Sequence, residues 1–234
     1  MKTQSQVTRS TLLALPLFLA LSAVPVAAQV EGQKGFAKEG GFVAVTFIPS
    51  FTFDGETFDG ETAYKEIDGE ELFFLPKIDK QPMVRATLGY RARQASLEIS
   101  YERTQHDGSF VGESLDATYQ AVNVDGRFFF LTSKRVQPHV VVGGSFPWLR
   151  IKDGSFNGNF DEPAIGDVRL RGYGVNTEVG ATIYPTPQFG IGVGYVYRAW
   201  WFDRGTGVSD TLFELRPRFR ETASSVALTG TFVF

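Results

Sequence analysis

Apolar and polar residues alternate with a period of two along most of this chain, and no stretch sustains the spacing of an amphipathic helix. The clearest case is residues 172–183. There Tyr173, Val175, Thr177, Val179, Ala181 and Ile183 share one face, while Gly174, Asn176, Glu178, Gly180 and Thr182 share the other. The pattern repeats after residue 188, where Phe189, Ile191, Val193, Tyr195, Tyr197, Ala199 and Trp201 alternate with Gly190, Gly192, Gly194, Val196, Arg198 and Trp200. Pro185 and Pro187 forbid continued pairing between the two segments, so they read as a hairpin. Carried along the chain, the same alternation predicts eight strands near residues 41–48, 83–91, 95–103, 119–130, 138–149, 172–183, 189–202 and 218–234, the last with a frayed start. Most reach the ~9 to 11 residues that a tilted strand needs to cross a bilayer.

Which face looks outward decides the solvent. Strand two divides Val84, Ala86, Leu88 and Tyr90 from Arg85, Thr87, Gly89 and Arg91. Strand three divides Leu97, Ile99 and Tyr101 from Glu98, Ser100 and Glu102, and strand four divides Val122, Val124 and Phe128 from Asn123, Asp125 and Arg127. An eight-stranded barrel has little interior volume, and strands six and seven oppose bulky apolar faces with glycine-rich ones. The bulky faces must point out, where water would meet an apolar belt far larger than a soluble monomer shows. Lipid is the consistent surroundings. The opposite sidedness would put Glu98, Asp125 or Glu178 in hydrocarbon, at a cost of up to ~2 to 4 kcal/mol for each charge at mid-depth.

The connections sort by length in strict alternation. Those at 92–94, 131–137 and 184–188 are short, whereas those at 49–82, 104–118, 150–171 and 203–217 are long. Membrane barrels put short turns in the periplasm and long loops outside, which sets both termini in the periplasm. Two aromatic girdles are expected. Tyr90, Phe128, Phe130, Tyr184, Phe189, Phe232 and Phe234 mark the short-turn rim, and Tyr101, Phe146, Trp148, Trp201 and Phe202 mark the long-loop rim.

The N-terminus changes the picture by naming the route. Lys2 and Arg9 precede an apolar run at 12–24, broken by Pro16, and a small-residue ending at 24–29. This reads as a secretory signal peptide over residues 1–28, cleaved after Ala28, followed by a periplasmic segment at 29–40 and the barrel at 41–234. The chain carries 23 basic and 26 acidic residues, a mild acidic balance that argues against nucleic acid as a partner. It has no cysteine, so no disulfide holds it.

The last segment, with Val226, Leu228, Gly230, Phe232 and Phe234 on one face, ends in phenylalanine. Here the chain resembles the small outer-membrane β-barrel proteins of Gram-negative bacteria, the class that includes the OmpA transmembrane domain, OmpX and OmpW. The resemblance covers residues 41–234 and is architectural, and no motif selects a subfamily. It implies an all-β, eight-stranded antiparallel up-and-down transmembrane barrel in the bacterial outer membrane, in contact with its lipid and lipopolysaccharide. It also implies that Phe232 and Phe234 form the signal read by the barrel-assembly machinery. Unlike in full-length OmpA, no peptidoglycan-binding domain is expected after the last strand.

Arg85, Arg91, Glu98, Glu102, Asn123, Asp125, Arg127, Asn176, Glu178 and Arg198 fall on the inward faces. Charges of both signs in a narrow lumen predict a network of paired groups rather than a pore, because unpaired burial is costly. No cofactor or metal site is expected. His106 lies in a turn-like HisAspGlySer segment in a long connection and His139 at the opposite end of the barrel, so neither a catalytic group nor a two-histidine metal site is expected. The duplicated FDGETFDGET at 53–62 opens an acidic stretch containing Asp54, Glu56, Asp59, Glu61, Glu66, Asp68, Glu70 and Glu71 against the single base Lys65. The order of residues does not fit a calcium loop, and Asp-Gly is a turn dipeptide, so a solvated loop is the expectation. The expected role is non-enzymatic, namely structural, adhesive or surface-binding through the outer loops, with an unidentified extracellular ligand. A narrow channel for small or hydrophobic solutes is the alternative, and a lipid A-modifying enzyme comes third.

Overall fold

The computed structural model describes residues 35–54, 63–67, 71–74, 77–110, 113–157, 165–206 and 212–234. The expected signal peptide and most of the FDGETFDGET repeat lie outside the described residues. Strand β1 (Gly40–Phe51) is followed in the first long connection by three short strands, β2 (Ala63–Ile67), β3 (Glu71–Phe74) and β4 (Lys77–Ile78). Then come β5 (Gln81–Arg91), β6 (Ala95–Phe110), β7 (Glu113–Phe129), β8 (Val136–Asn157), β9 (Ile165–Ile183), β10 (Phe189–Thr206) and β11 (Leu212–Val233). The eight long strands, β1 and β5 to β11, pair antiparallel with their neighbours in order, and β1 pairs with β11 to close the ring. This is the eight-stranded up-and-down barrel that the alternation predicts, and closure leaves the ring of long strands without a free edge in lipid.

The seam is made by glycine and the terminal phenylalanine. Phe42 to Phe47 of β1 pair with Val233 to Leu228 of β11, and the Phe234 amide donates to Gly41 O at 2.9 Å. A Cβ on Gly41 would stand 2.6 Å from the Phe234 ring, so only glycine lets that ring lie across the strand.

The side chains sort by depth as well as by face. At the level of Leu88, Ile99, Val124, Val142, Val175, Val193 and Val226, apolar groups are exposed on the outer surface while Glu98, Asn123, Asp125, Asn176 and Glu178 are buried inside. Beyond Tyr101, Phe146, Tyr173 and Trp201 the arrangement inverts. β8 turns Arg150 and Lys152 outward with Leu149 and Ile151 inward, and β9 turns Arg169 and Arg171 outward with Val168 and Leu170 inward. The solvent outside explains both halves. In hydrocarbon each large apolar side chain is stabilised outward by roughly 1.5–3 kcal/mol; above the rim, where water surrounds the barrel, the same term favours the interior.

That inversion corrects several expectations. The connections expected at 104–118, 150–171 and 203–217 are largely strand: β6 runs to Phe110, β7 starts at Glu113, β8 runs to Asn157, β9 starts at Ile165, β10 runs to Thr206 and β11 starts at Leu212. His106 does not lie in a turn but in β6, paired with Ala117, and it is buried. Tyr184 and Phe202 do not join the girdles, because both turn into the interior. The bulky interior residues Trp200, Phe202 and Tyr119 also break the expectation that large groups all point out.

The first long connection joins this upper barrel. β2 pairs with β3, β3 pairs with β8 and β4 pairs with β6. At the start of the acidic repeat, Phe53 is buried and the Asp54 carboxylate accepts from the Ser224 amide at 3.0 Å.

Candidate functional site

Because successive strands alternate inward side chains at fixed register, the lumen becomes a stack of layers. Nearest the short-turn rim, Arg91 donates to the Tyr184 hydroxyl and to Gln137 Oε1, with its guanidinium carbon 3.7 Å from the Phe129 ring centroid. Gln137 passes the restraint on by donating to Thr132 O and Lys134 O at 2.9 and 3.0 Å. Below, the amides of Phe36 and Lys38 bond to carbonyls in the turns before β8 and β10.

The middle layer centres on Arg127. Its Nε donates to Glu98 Oε1 at 2.8 Å and its Nη2 to Glu98 Oε2 at 3.2 Å, a bidentate pair, while Nη1 lies 3.4 Å from Glu178 Oε1. His139 Nε2 stands 2.9 Å from Arg127 Nη1 and 3.0 Å from Glu178 Oε1, so it can accept from the guanidinium or donate to the carboxylate but not both. Ser96 donates to Glu98 at 2.6 Å. Beside them Asn176 donates toward Asn123 at 3.0 Å and Asp125 at 3.3 Å, and a Cβ on Gly143 would collide with the Asp125 carboxylate.

The next layer joins Glu102 to Arg85 at 3.0 Å, to Arg198 at 2.9 Å and to the Tyr119 hydroxyl at 3.0 Å. Glu102 and Arg198 are both 0% exposed. Arg198 also faces the layer above, its guanidinium 5.7 Å from the Phe51 ring centroid. From there upward the filling is aromatic. Phe51 lies 5.1 Å from Tyr119 and 5.9 Å from Trp200, and Phe53 lies 5.5 Å from Trp200 and 6.5 Å from Phe202, all between ring centroids. Ile48, Leu149, Ile151, Val168 and Leu170 complete this plug. A cavity of ≈ 20 Å³ lies in the lower lumen against Arg91, Glu98 and Arg127, room for about one water.

A closed barrel with an apolar outer belt and a lumen filled by ion pairs and rings is one solution among known barrel families. The family described as outer membrane protein beta-barrel domain matches residues 17–216. The chain belongs to that family. Membership places it in the bacterial outer membrane. Among solved structures, it is similar to Neisserial surface protein A, with a TM-score of 0.50 and 13% identity over 83% of this chain and 96% of that one. It is also similar to OprG of Pseudomonas aeruginosa, with a TM-score of 0.47 and 13% identity over 84% and 95%. Ail of Yersinia pestis gives a TM-score of 0.38 and 14% identity over 83% and 100%. No curated protein matches the sequence.

Within this outer-membrane barrel, the eight charges expected inside are all buried in the lumen, but in separate groups. Arg85, Glu102 and Arg198 meet in one layer and Glu98, Arg127 and Glu178 in another; Asp125 sits against Asn176, and Arg91 engages neutral oxygens. Sequence reasoning missed His139, Tyr119, Gln137, Tyr184 and Glu221, all buried inside. Alternation carried from Val141 to His139, and from Ala223 to Glu221, would have found two of them. Both histidines are internal. His106 Nδ1 lies 2.8 Å from Asp79 O with its ring 5.6 Å from Phe51, and His139 sits in the Arg127 layer. Neither reaches the lipid-facing surface where a lipid substrate would lie.

Proposed function

We propose that the protein is a non-conducting outer-membrane barrel that carries a rigid extracellular head, with a structural or surface-binding role performed by that head rather than by transport. The observation that carries this reading is the filled lumen: two layers of ion pairs capped by the plug of Phe51, Phe53, Tyr119, Trp200 and Phe202. A solute would have to displace rings at van der Waals contact and then unpair buried charges, each step costing several kcal/mol. The head supports the binding half of the reading. β8 and β11 each span 22 residues, about twice the length that crosses a bilayer, and β3 and β4 add strands to the same outer sheet. Planar-bilayer recording on the purified chain tests it. The expected trace stays at the baseline of the protein-free bilayer. Steady conductance that scales with salt and changes with Arg198→Ala or Glu178→Gln would support the channel instead.

The reading includes its route. Export uses a signal peptide cleaved after Ala28, and the outward Phe232 and Phe234 are what the barrel-assembly machinery reads. Deleting Phe234 is expected to slow insertion into vesicles holding that machinery while leaving spontaneous folding in detergent intact. Equal insertion with and without Phe234 would remove it from that role.

A further inference from the structure

Just beyond the outer aromatic belt, the surface of β6 to β10 turns basic, and strand register gathers its arginines. Arg103 pairs with Gln120, Gln120 with Trp148, Trp148 with Arg171 and Arg171 with Arg204, one row across five strands. The next row runs through Gln105, Thr118, Arg150, Arg169 and Thr206. The five arginines are exposed, and their chain neighbours Glu102, Leu149, Leu170 and Gly205 are buried, so all five point away from the barrel. A groove of ≈ 200 Å³ opens here, walled by Arg103, Arg150, Arg169 and Arg171. Trp148 lies in it, its indole fixed by donation from Nε1 to Gln120 Oε1 at 2.9 Å.

Depth says which anion would meet this groove. Arg103 comes two residues after Tyr101, and Arg171 two residues before Tyr173 on the strand that runs the other way. Two residues of a tilted strand rise about 5 Å along the bilayer normal. Tyrosine and tryptophan belts mark the headgroup level, so the guanidiniums reach the phosphates of the outer leaflet. Asp203 is half-exposed in the bulge of β10 beside Arg204, away from the groove lining, and the other acids of this face stand farther out. Asp107, Asp116 and Asp167 lie two residues beyond Gln105, Thr118 and Arg169, and Asp167 accepts from Arg150 Nε at 2.8 Å. Guanidiniums bind phosphate bidentately, and a fixed indole offers a flat face to a sugar ring.

We propose that this groove binds the phosphorylated sugar headgroup of an outer-leaflet lipid, with Arg103, Arg169 and Arg171 holding phosphate and Trp148 lying against the sugar. The test uses the full chain in detergent micelles with lipid A carrying both phosphates, the same lipid stripped of phosphate, and a soluble heparin oligosaccharide. The native chain is expected to bind phosphorylated lipid A best, and R103Q/R169Q/R171Q to lose about a hundredfold in affinity. Removing phosphate from the lipid is expected to abolish the difference between native and variant. K134Q/R135Q, at the periplasmic rim, should bind like the native chain. Heat-modifiable migration on a gel reports folding of each variant. If the triple variant does not fold, R169Q and R171Q singly are each expected to weaken binding about fivefold. Unchanged lipid A binding in the folded variants, or binding that ignores phosphate, would overturn the proposal. Heparin binding as tight as lipid A binding would overturn it too, by assigning the groove to a water-borne polyanion.

Discussion

Glu102 is the residue on which the lumen depends most. It answers two buried arginines, Arg85 and Arg198, at 3.0 and 2.9 Å. Replacing it by glutamine leaves two positive charges facing each other in a site without bulk water, a loss of about 3–5 kcal/mol for breaking a buried pair. Urea unfolding from lipid vesicles should show that loss for Glu102→Gln, and a smaller one when Arg85→Met is added, since the second change removes one unanswered charge. A double variant no more stable than the single would contradict the pairing. The composition of this network was legible because period two assigns each charge to a face. Its partners were not, since Arg198 and Glu102 are 96 residues apart and meet only across the closed barrel. Tyr184 and Phe202 were misplaced for a related reason: an aromatic side chain near a rim can serve a girdle or seal the interior, and only the packing against Arg91 or Phe53 decides.

β6 to β9 show how far a pattern can be read before its meaning changes. Alternation continues past the rim, but its phase reverses. Val175 and Tyr173 face outward on β9 below Arg171 and Arg169, while Asn176 and Gly174 face inward below Leu170 and Val168. A rule that seeks apolar residues on a fixed face therefore stops at the rim and reports a long loop. The physical rule is that the apolar face follows whichever side is shielded from water, and on β8 and β9 it carries past the rim as far as Ile151 and Val168. Arginine at outward positions should therefore cost a depth-dependent amount. Val142→Arg and Val179→Arg, at mid-belt, are expected to lose about 2–4 kcal/mol in vesicle unfolding, whereas Gln105→Arg, above the rim, should stay within about 0.5 kcal/mol. Equal penalties at the two depths would deny the inversion.

At the scale of the whole molecule the barrel is two cores on one set of strands. The lower core is ionic inside a lipid jacket, and the upper is a small water-surrounded barrel filled by rings and aliphatic chains, with the loop strands β3 and β4 added to its outer sheet. Stability of the head is expected to rest on the plug. Trp200→Ala, which removes the ring between Phe51, Phe53 and Tyr119, should cost about 3–5 kcal/mol, and local opening seen by hydrogen exchange should extend through 149–151 and 168–170 first. Exchange that spreads first through the Arg127 layer would place the weak point elsewhere.

The boundary between the two cores can be located with single cysteines, because the chain has none of its own. Cysteine placed in turn at Val179, Val175, Tyr173, Arg171 and Arg169 of β9, in vesicles, would be treated with a charged, membrane-impermeant maleimide. The reagent is expected to leave 179 and 175 unmodified, to react partly at 173, and to react fully at 171 and 169. Modification at 175 equal to that at 169, or protection running through 169, would contradict a lipid boundary at the Tyr101, Phe146, Tyr173 and Trp201 belt.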